Sequence, residues 1–399
     1  MPRFRSFGQS VCLSFCLVSA AWADGPTTQP ADPGDQAEAM IQKGLGYLKA
    51  NQDPDFSWQN SADPPGMSAL VLKAFMQNPK YDADDAFLDK AFDKLLTYQK
   101  PDGSISNDVL TTYNTAIAIS ALAISKEAEY KEPIQKALAY LRNLQWSDKI
   151  AGVPNASRKV GPDDANYGGF GYGRQGRADL SNTSFALDAL KDAGLKSDDP
   201  AFQAALKFVT RCQNNSETND QKWAGDDGGF VYFPANGGAS PAGDYLGPNG
   251  EHLLRSYGTM TYAGLKSMIY AGLTKDDPRV KAAWHWIAAH WTVDENPGMN
   301  VVEPNDSNAG LYYYYHTMAR ALHAYGEPVV TDSSGKKHDW RIELIDKIQS
   351  LQHSDGSCVG ISKWMENKPI LATTFAVLAL QEAQADLKEH PALRERVEQ

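Results

Sequence analysis

The chain has 399 residues, 42% hydrophobic and 22% charged, with 32 Gly, 22 Pro and a formal net charge of -11. The apolar content is too high for a disordered chain, and no long apolar run in the body marks a polytopic membrane protein. The acidic balance argues against a nucleic-acid partner, and the length holds either two or three average domains or one large one.

Arg3 and Arg5 precede a short apolar stretch, Val11 to Ala21, which ends at Ala21-Trp22-Ala23. A charged start, a short apolar run and an A-x-A ending predict a signal peptide over residues 1–23, cut after Ala23. The expected product is secreted or periplasmic, with no transmembrane segment in the mature chain. Losing the two arginines leaves 36 basic against 49 acidic residues, a charge of -13. Residues 24–36 are rich in Pro, Thr, Gly and Asp and read as a flexible lead-in. Cys12 and Cys16 leave with the signal. Cys212 and Cys358 stay in an oxidising compartment that permits a disulfide, but they fall in distant repeats, which favours two free thiols.

From residue 37 a unit repeats. Helical stretches end at Gln52, Gln99, Gln145, Gln213 and Gln352, and a turn often follows, such as Asp102-Gly103-Ser104, Gly168-Gly169-Phe170 or Asp227-Gly228-Gly229-Phe230. After each turn a second helix opens on a hydroxyl residue and continues with small and apolar ones. These run from Ser68, Thr115, Thr183, Thr261, Tyr315 and Thr373. The fifth unit, whose first helix is Val280 to Trp291, has lost the Gln. Six helix pairs result, a period that marks a repeat architecture.

First helices are amphipathic: Phe92, Leu95, Leu96 and Gln99 form a stripe with Lys90, Asp93 and Lys94 between. Second helices, such as Thr115 to Leu122, are apolar or small all round and belong in the interior. The pattern predicts an all-α fold, an (α/α)6 toroid with an apolar inner ring and an amphipathic outer ring, over residues 37–385, with 386–399 as a C-terminal tail. An open superhelix of the same pairs is the alternative.

Gln145-Trp146, the Gln99 to Ser104 segment and the Asn-Thr openings Asn114-Thr115 and Asn182-Thr183 resemble the terpenoid cyclase and protein prenyltransferase superfamily. The resemblance covers nearly the whole mature chain. It implies a central cavity at one end of the ring, lined by inner-helix starts and the loops before them. Squalene-hopene cyclases of this superfamily begin catalysis with an Asp-x-Asp-Asp acid. That string occurs here at Asp82-Ala83-Asp84-Asp85, but before an outer helix, like Asp198-Asp199-Pro200 and Asp276-Asp277-Pro278, where capping explains it. The position matching the family's acid reads Asp179-Leu180-Ser181-Asn182-Thr183 and keeps only its first Asp. Asp179 is therefore the candidate acid, and it serves only if buried and kept protonated.

Prenyltransferase zinc ligands are not matched. Tyr315-His316-Thr317 resembles their histidine segment, but Arg255-Ser256-Tyr257-Gly258 stands where their Asp-x-Cys belongs, and His316 and His323 are too far apart on one helix to share an ion. No metal and no cofactor is expected. Tyr257 and the Tyr312 to Tyr315 run place aromatic rings at inner-helix starts, suited to isoprenoid tails, sugar rings or passing carbocations. Candidate substrate-binding residues are Asn182, Thr183, Tyr257, Tyr312, Tyr315 and His316. The segments Asn166 to Gly173 and Ala224 to Glu251 are candidate lids. The expected ligand is a hydrophobic or glycan small molecule; the sequence sets no oligomeric state. Three functions stay open: a cyclase- or transferase-like enzyme acting on an isoprenoid or other lipid-like substrate, a non-catalytic extracytoplasmic binding module, and a polysaccharide-active enzyme using pairs such as Asp163/Asp164 or Asp226/Asp227.

Overall fold

The computed structural model describes residues 32–58, 64–148, 159–173 and 176–391. The predicted signal peptide, residues 24–31 of the lead-in and residues 392–399 of the tail lie outside the described residues. Among the described residues, twelve α-helices follow one another as six pairs: α1 (Pro33–Ala50) with α2 (Gly66–Met76), α3 (Ala86–Leu96) with α4 (Thr111–Ser125), and α5 (Lys131–Leu144) with α6 (Leu180–Asp192). The second half repeats the arrangement in α7 (Pro200–Arg211) with α8 (Gly258–Tyr270), α9 (Pro278–Ala289) with α10 (Leu311–Tyr325), and α11 (Trp340–Leu351) with α12 (Pro369–Glu389). Short antiparallel hairpins pair residues 170–171 with 178–179, 244–246 with 252–254, and 329–331 with 337–339.

The two helix types bury as their sequences require. In α5 the buried residues are Ala137, Tyr140, Leu141 and Leu144, one stripe, whereas α6 buries every residue from Leu180 to Leu190. The even-numbered helices pack in the order α2, α4, α6, α8, α10, α12, and α12 returns to α2. The ring is closed, and an open superhelix is excluded. Gln381 Nε2 of α12 donates to Ala74 O of α2 at 2.7 Å, and Gln352 Nε2 at the end of α11 donates to Met40 O of α1 at 3.1 Å.

The ends differ slightly from expectation. Helix α1 begins at Pro33, inside the predicted lead-in, because Pro is tolerated in a first helical turn and is buried here. Helix α12 runs to Glu389, past residue 385, because Asp386 is buried and pairs with the buried Arg341 at 3.0 Å. Cys212 and Cys358 are both buried free thiols. No helix among the described residues is long and apolar enough to cross a membrane.

The repeated residues are fasteners. Gln145 Nε2 donates to Gly168 O of its own turn and to Ala201 O in the first turn of the next outer helix. Gln213 does the same with Gly228 O and Arg279 O. Gln52 and Gln99 reach Phe87 O and Pro133 O. Where the fifth unit lacks Gln, Trp291 Nε1 donates instead to Glu343 Oε2 of α11 at 2.8 Å. The turn glycines are forced: Gly168 and Gly228 have φ of 86° and 84°, and a Cβ on them would meet backbone carbonyls of α7 and α9 at 1.8 and 2.3 Å. In every unit but the fifth, the repeated hydroxyl of the inner helix accepts the backbone N–H beyond the turn. Ser68 accepts from Trp58, Thr115 from Ile105, Thr183 from Phe170, Thr261 from Phe230 and Thr373 from Cys358, at 2.8–3.1 Å.

At the far end of the inner ring the core is ionic. Lys73 of α2 pairs with Asp192 of α6 at 3.0 Å, and Lys266 of α8 with Asp188 at 2.6 Å. Arg320 of α10 contacts Asp188, Asp192 and Glu382 of α12, and its Nε also donates to Tyr270 Oη. Burial pushes the Asp192 carboxyl up, but Arg320 and Lys73 outweigh it and hold the group below the usual carboxylate range.

Candidate functional site

The other end of the inner ring holds a cavity of about 490 Å³. Every inner helix contributes its start: Gly66 from α2, Tyr113 from α4, Ser181 from α6, Thr259 from α8, Tyr313 from α10 and Leu371 from α12 all lie in the wall. One turn deeper come Leu70, Ile117, Phe185 and Phe375. The loops before the helices add Tyr172, Tyr232, Pro241, Tyr257 and the Trp364 to Glu366 segment, so both candidate lid segments reach the wall. The size is that of a small-molecule site.

The rings form a belt. Tyr113 sits edge-on to Phe185 at 5.3 Å, Phe185 stacks on Tyr313 at 5.7 Å, and Tyr313 tilts against Phe375 at 5.6 Å. Their hydroxyls are tied together. Tyr113 Oη donates to Ser181 Oγ at 2.7 Å, Ser181 Oγ meets Tyr313 Oη at 2.8 Å, and the Tyr172 and Tyr232 hydroxyls are 2.5 Å apart. The Tyr232 hydroxyl lies beside the Asp179 carboxyl and favours its ionised form.

Asp179 occupies the N-cap of α6 and is 1% exposed. Its Oδ1 accepts from Asn182 N and its Oδ2 from Asn182 Nδ2, both at 2.8 Å. Burial raises the carboxyl to about 7, against the opposing Asn182 bonds, the Tyr232 hydroxyl and the charge of Arg177. It is therefore a capping residue that is also a neutral-range acid, one hydroxyl behind the wall.

Of the other predicted residues, Tyr257 lines the cavity. Asn182, Thr183, Tyr312, Tyr315 and His316 are buried but are not brought to the wall. Asn182 holds Asp179, and Thr183 fastens its turn, as its counterparts do. Tyr315 Oη donates to Val293 O at 2.7 Å, bracing the unit that lacks Gln. The Tyr312 hydroxyl lies beside Cys358, and burial pushes it well above its ordinary value. His316 stacks on Phe375 from behind, and burial, with Lys73, Lys266 and Arg320 nearby, holds it well below its ordinary value and so neutral. Neither acidic pair lines the cavity. Asp164, Asp226 and Asp227 accept turn N–H groups from Asn166, Ser216 and Gly229. Among the described residues no three His, Cys, Asp or Glu side chains come together as a metal site.

Sequence reasoning missed Glu366. It is 1% exposed, lies in the cavity wall, and its Oε1 accepts from Tyr313 N at 2.8 Å at the start of α10. Burial raises it to about 7 against the bonds from the N–H groups of residues 311–313. Its segment is irregular, with Trp364 and Met365 at φ of 55° and 65°, and carries no repeat signal. The tyrosines had a signal: the wall residue stands two positions before the repeated hydroxyl, as Tyr113 does before Thr115 and Tyr313 before Tyr315.

No family model matches the chain, and no curated protein does. Solved structures share its fold. A type II terpene cyclase, MstE from Scytonema, in complex with geranylgeranyl dihydroxybenzoate, aligns at 15% identity over 89% of this chain and 99% of its own, with a TM-score of 0.54. A GH76 α-mannanase from Bacteroides thetaiotaomicron aligns at 11% identity over 90% and 99%, with a TM-score of 0.51. An α-1,6-mannanase of Salegentibacter in complex with α-1,6-mannotetrose gives 12%, 89%, 99% and 0.51. The fold is thus that of a helical toroid also used by terpene cyclases and mannanases, and at this identity the likeness concerns fold alone.

Proposed function

We propose that the chain is an extracytoplasmic toroid whose cavity takes an isoprenoid or other lipid-like molecule, in the manner of a terpenoid cyclase. The observation that carries this reading is the wall itself: aliphatic side chains and aromatic rings, with the Tyr172 and Tyr232 hydroxyls paired beside the buried Asp179. An acid kept protonated near neutrality beside an apolar cavity is what alkene protonation requires, and the rings supply π faces for a developing cation. A polysaccharide-active site needs two carboxylates across a cleft. Among the described residues the wall presents one, Glu366. A second reading, a binding module without catalysis, is favoured by the engagement of both Asp179 oxygens by Asn182.

The test is incubation with squalene and a panel of shorter polyprenoids, followed by mass spectrometry of both products and protein-retained ligand. Cyclised product supports the enzyme. Intact polyprenoid retained by the protein supports the binding module. Neither turnover nor retention across the panel, or retention of a glycan fragment instead, overturns the lipid reading.

A further inference from the structure

We propose that the cavity end of the ring docks on a zwitterionic lipid bilayer, with the loops before the inner helices seated in the headgroup layer and the cavity mouth opening onto the leaflet. The inference rests on the lipid-like ligand reading and adds the phase that supplies the ligand. The connections between helices divide by end. Those from an outer helix to the next inner helix lie at the cavity end, and those from an inner helix to the next outer helix lie at the far end. The five far-end connections, residues 77–85, 126–130, 193–199, 271–277 and 326–339, are described throughout and expose no large apolar side chain. All eight of the large apolar side chains that stand exposed among the described residues, at 39–66%, belong to the cavity-end connections. Val109 precedes α4, Tyr172 α6, Leu246 α8, Val301 and Val302 α10, and three precede α12, among them Trp364 and Met365. Exposed apolar side chains scattered singly need no explanation, but their confinement to one end marks a binding face.

The backbone holds several of these side chains out under strain. Trp364 and Met365 have φ of 55° and 65°, and Val109 stands between Asp108 and Leu110 at 70° and 49°. Left-handed backbone is costly for residues other than glycine, and such strain collects at functional segments. The occupant follows from where the apolar surface leads. Tyr172, Trp364 and Met365 are exposed and also part of the cavity wall, so rim and wall share side chains. The face is built from five separate connections rather than one groove, which suits a deformable phase, and a lipid leaflet is one that also holds the ligand. Trp and Tyr are favoured at the interfacial depth of a bilayer. Two bases beside these side chains are already paired, Lys363 with Asp306 and Lys100 with Asp108, so the attraction is apolar rather than a call for anionic lipid.

The experiment is co-sedimentation of the whole chain, without its predicted signal peptide, with phosphatidylcholine vesicles at about 0.15 M and about 1 M salt. No polyprenoid is added. Binding is expected at both, since salt screens charge attraction and leaves apolar insertion in place. Val109→Ser, Leu246→Ser and Val302→Ser spare the cavity wall. The triple variant should bind vesicles at least about tenfold more weakly, with polyprenoid retention in vesicle-free solution unchanged. Failure to bind phosphatidylcholine, or binding that needs anionic lipid and disappears at high salt, overturns the docking and leaves the ligand reading standing. Native vesicle affinity in the triple variant also overturns it. So does a dimer in solution that the triple variant abolishes, because the face then belongs to a second copy of the chain. Vesicle binding by a chain that retains no polyprenoid supports the docking face and overturns the ligand reading.

Discussion

The two ends of the inner ring are built from the same helices and solve opposite problems. At the far end, Lys73, Lys266 and Arg320 face Asp188, Asp192 and Glu382, and the charges compensate in ion pairs of 2.5–3.7 Å. At the cavity end no base lines the wall among the described residues, and two acids there, Asp179 and Glu366, are both raised to about 7. Burial is nearly complete in both places, so burial does not separate them. What separates them is the partner: a cation keeps Asp192 ionised, whereas Asp179 and Glu366 have N–H and hydroxyl groups in place of a close ion pair. Asp192 is thereby held ionised, whereas Asp179 and Glu366 are acids whose protonation changes near neutral pH.

The largest effect comes from breaking the ionic end. Arg320→Leu leaves three carboxylates short of a cation, and removing one partner of a buried ion network costs about 3–5 kcal/mol. Denaturant unfolding should show that loss, and a change within experimental error would mean the network is not formed. The next test addresses the cavity end. Asp179 has a folded-state value of about 7, above the unfolded value of about 3.9, so the folded chain binds the extra proton between them. Its contribution is therefore most favourable at pH 4 and is lost as pH rises through about 7. Asn caps helices as well as Asp does. Asp179→Asn should match the native chain in stability at pH 4 and exceed it at pH 8 by up to about 4 kcal/mol, since each pH interval of one between the two values is worth about 1.4 kcal/mol. The same variant should abolish any polyprenoid conversion. A flat stability difference between the two pH values would show that Asp179 is not raised.

A smaller effect separates fasteners from binding residues. Thr183→Val and Thr261→Val each orphan a buried N–H, of Phe170 and of Phe230, and each should cost about 1–3 kcal/mol. Unfolding midpoints should fall alike, with binding to the cavity unchanged at equal folded fraction. A selective loss of ligand in Thr183→Val would restore it as a binding residue.

The closed ring was legible because the period is long and its two helix types differ in polarity all round. The phase of the site was not. A recurring hydroxyl stands out in each unit, and the sequence offers no way to tell a residue that fastens a turn from one that faces the axis. The wall is two positions earlier, at Tyr113, Ser181, Thr259 and Tyr313, where the residue type varies from unit to unit and so gives no repeat signal. Thr183 and Tyr315 stand out in the sequence for the opposite reason. Glu366 was illegible for a different one, since residues 359–368 follow no repeat and the carboxyl is placed by the start of α10, which is distant in sequence.

The smallest expected effect belongs to the acidic string that most resembles catalytic machinery. Asp82 and Asp84 are exposed, and Asp85 stands at the N-cap of α3. Asp199 and Asp277 cap α7 and α9 through Ala201 N and Arg279 N, as their sequences predict. Asp85 departs from that pattern: its Oδ2 accepts from Asp82 N, and no helix N–H bonds its side chain. The string therefore closes a surface turn on the outer ring, remote in the fold from the inner-helix starts that build the cavity. Exposed carboxylates in such a turn contribute little, and the triple change Asp82→Asn, Asp84→Asn and Asp85→Asn should shift stability by less than about 0.5 kcal/mol per site. Ligand binding and any polyprenoid conversion should be unchanged. If the triple variant lost either while Asp179→Asn kept it, the division drawn between outer capping acids and inner neutral-range acids would be reversed.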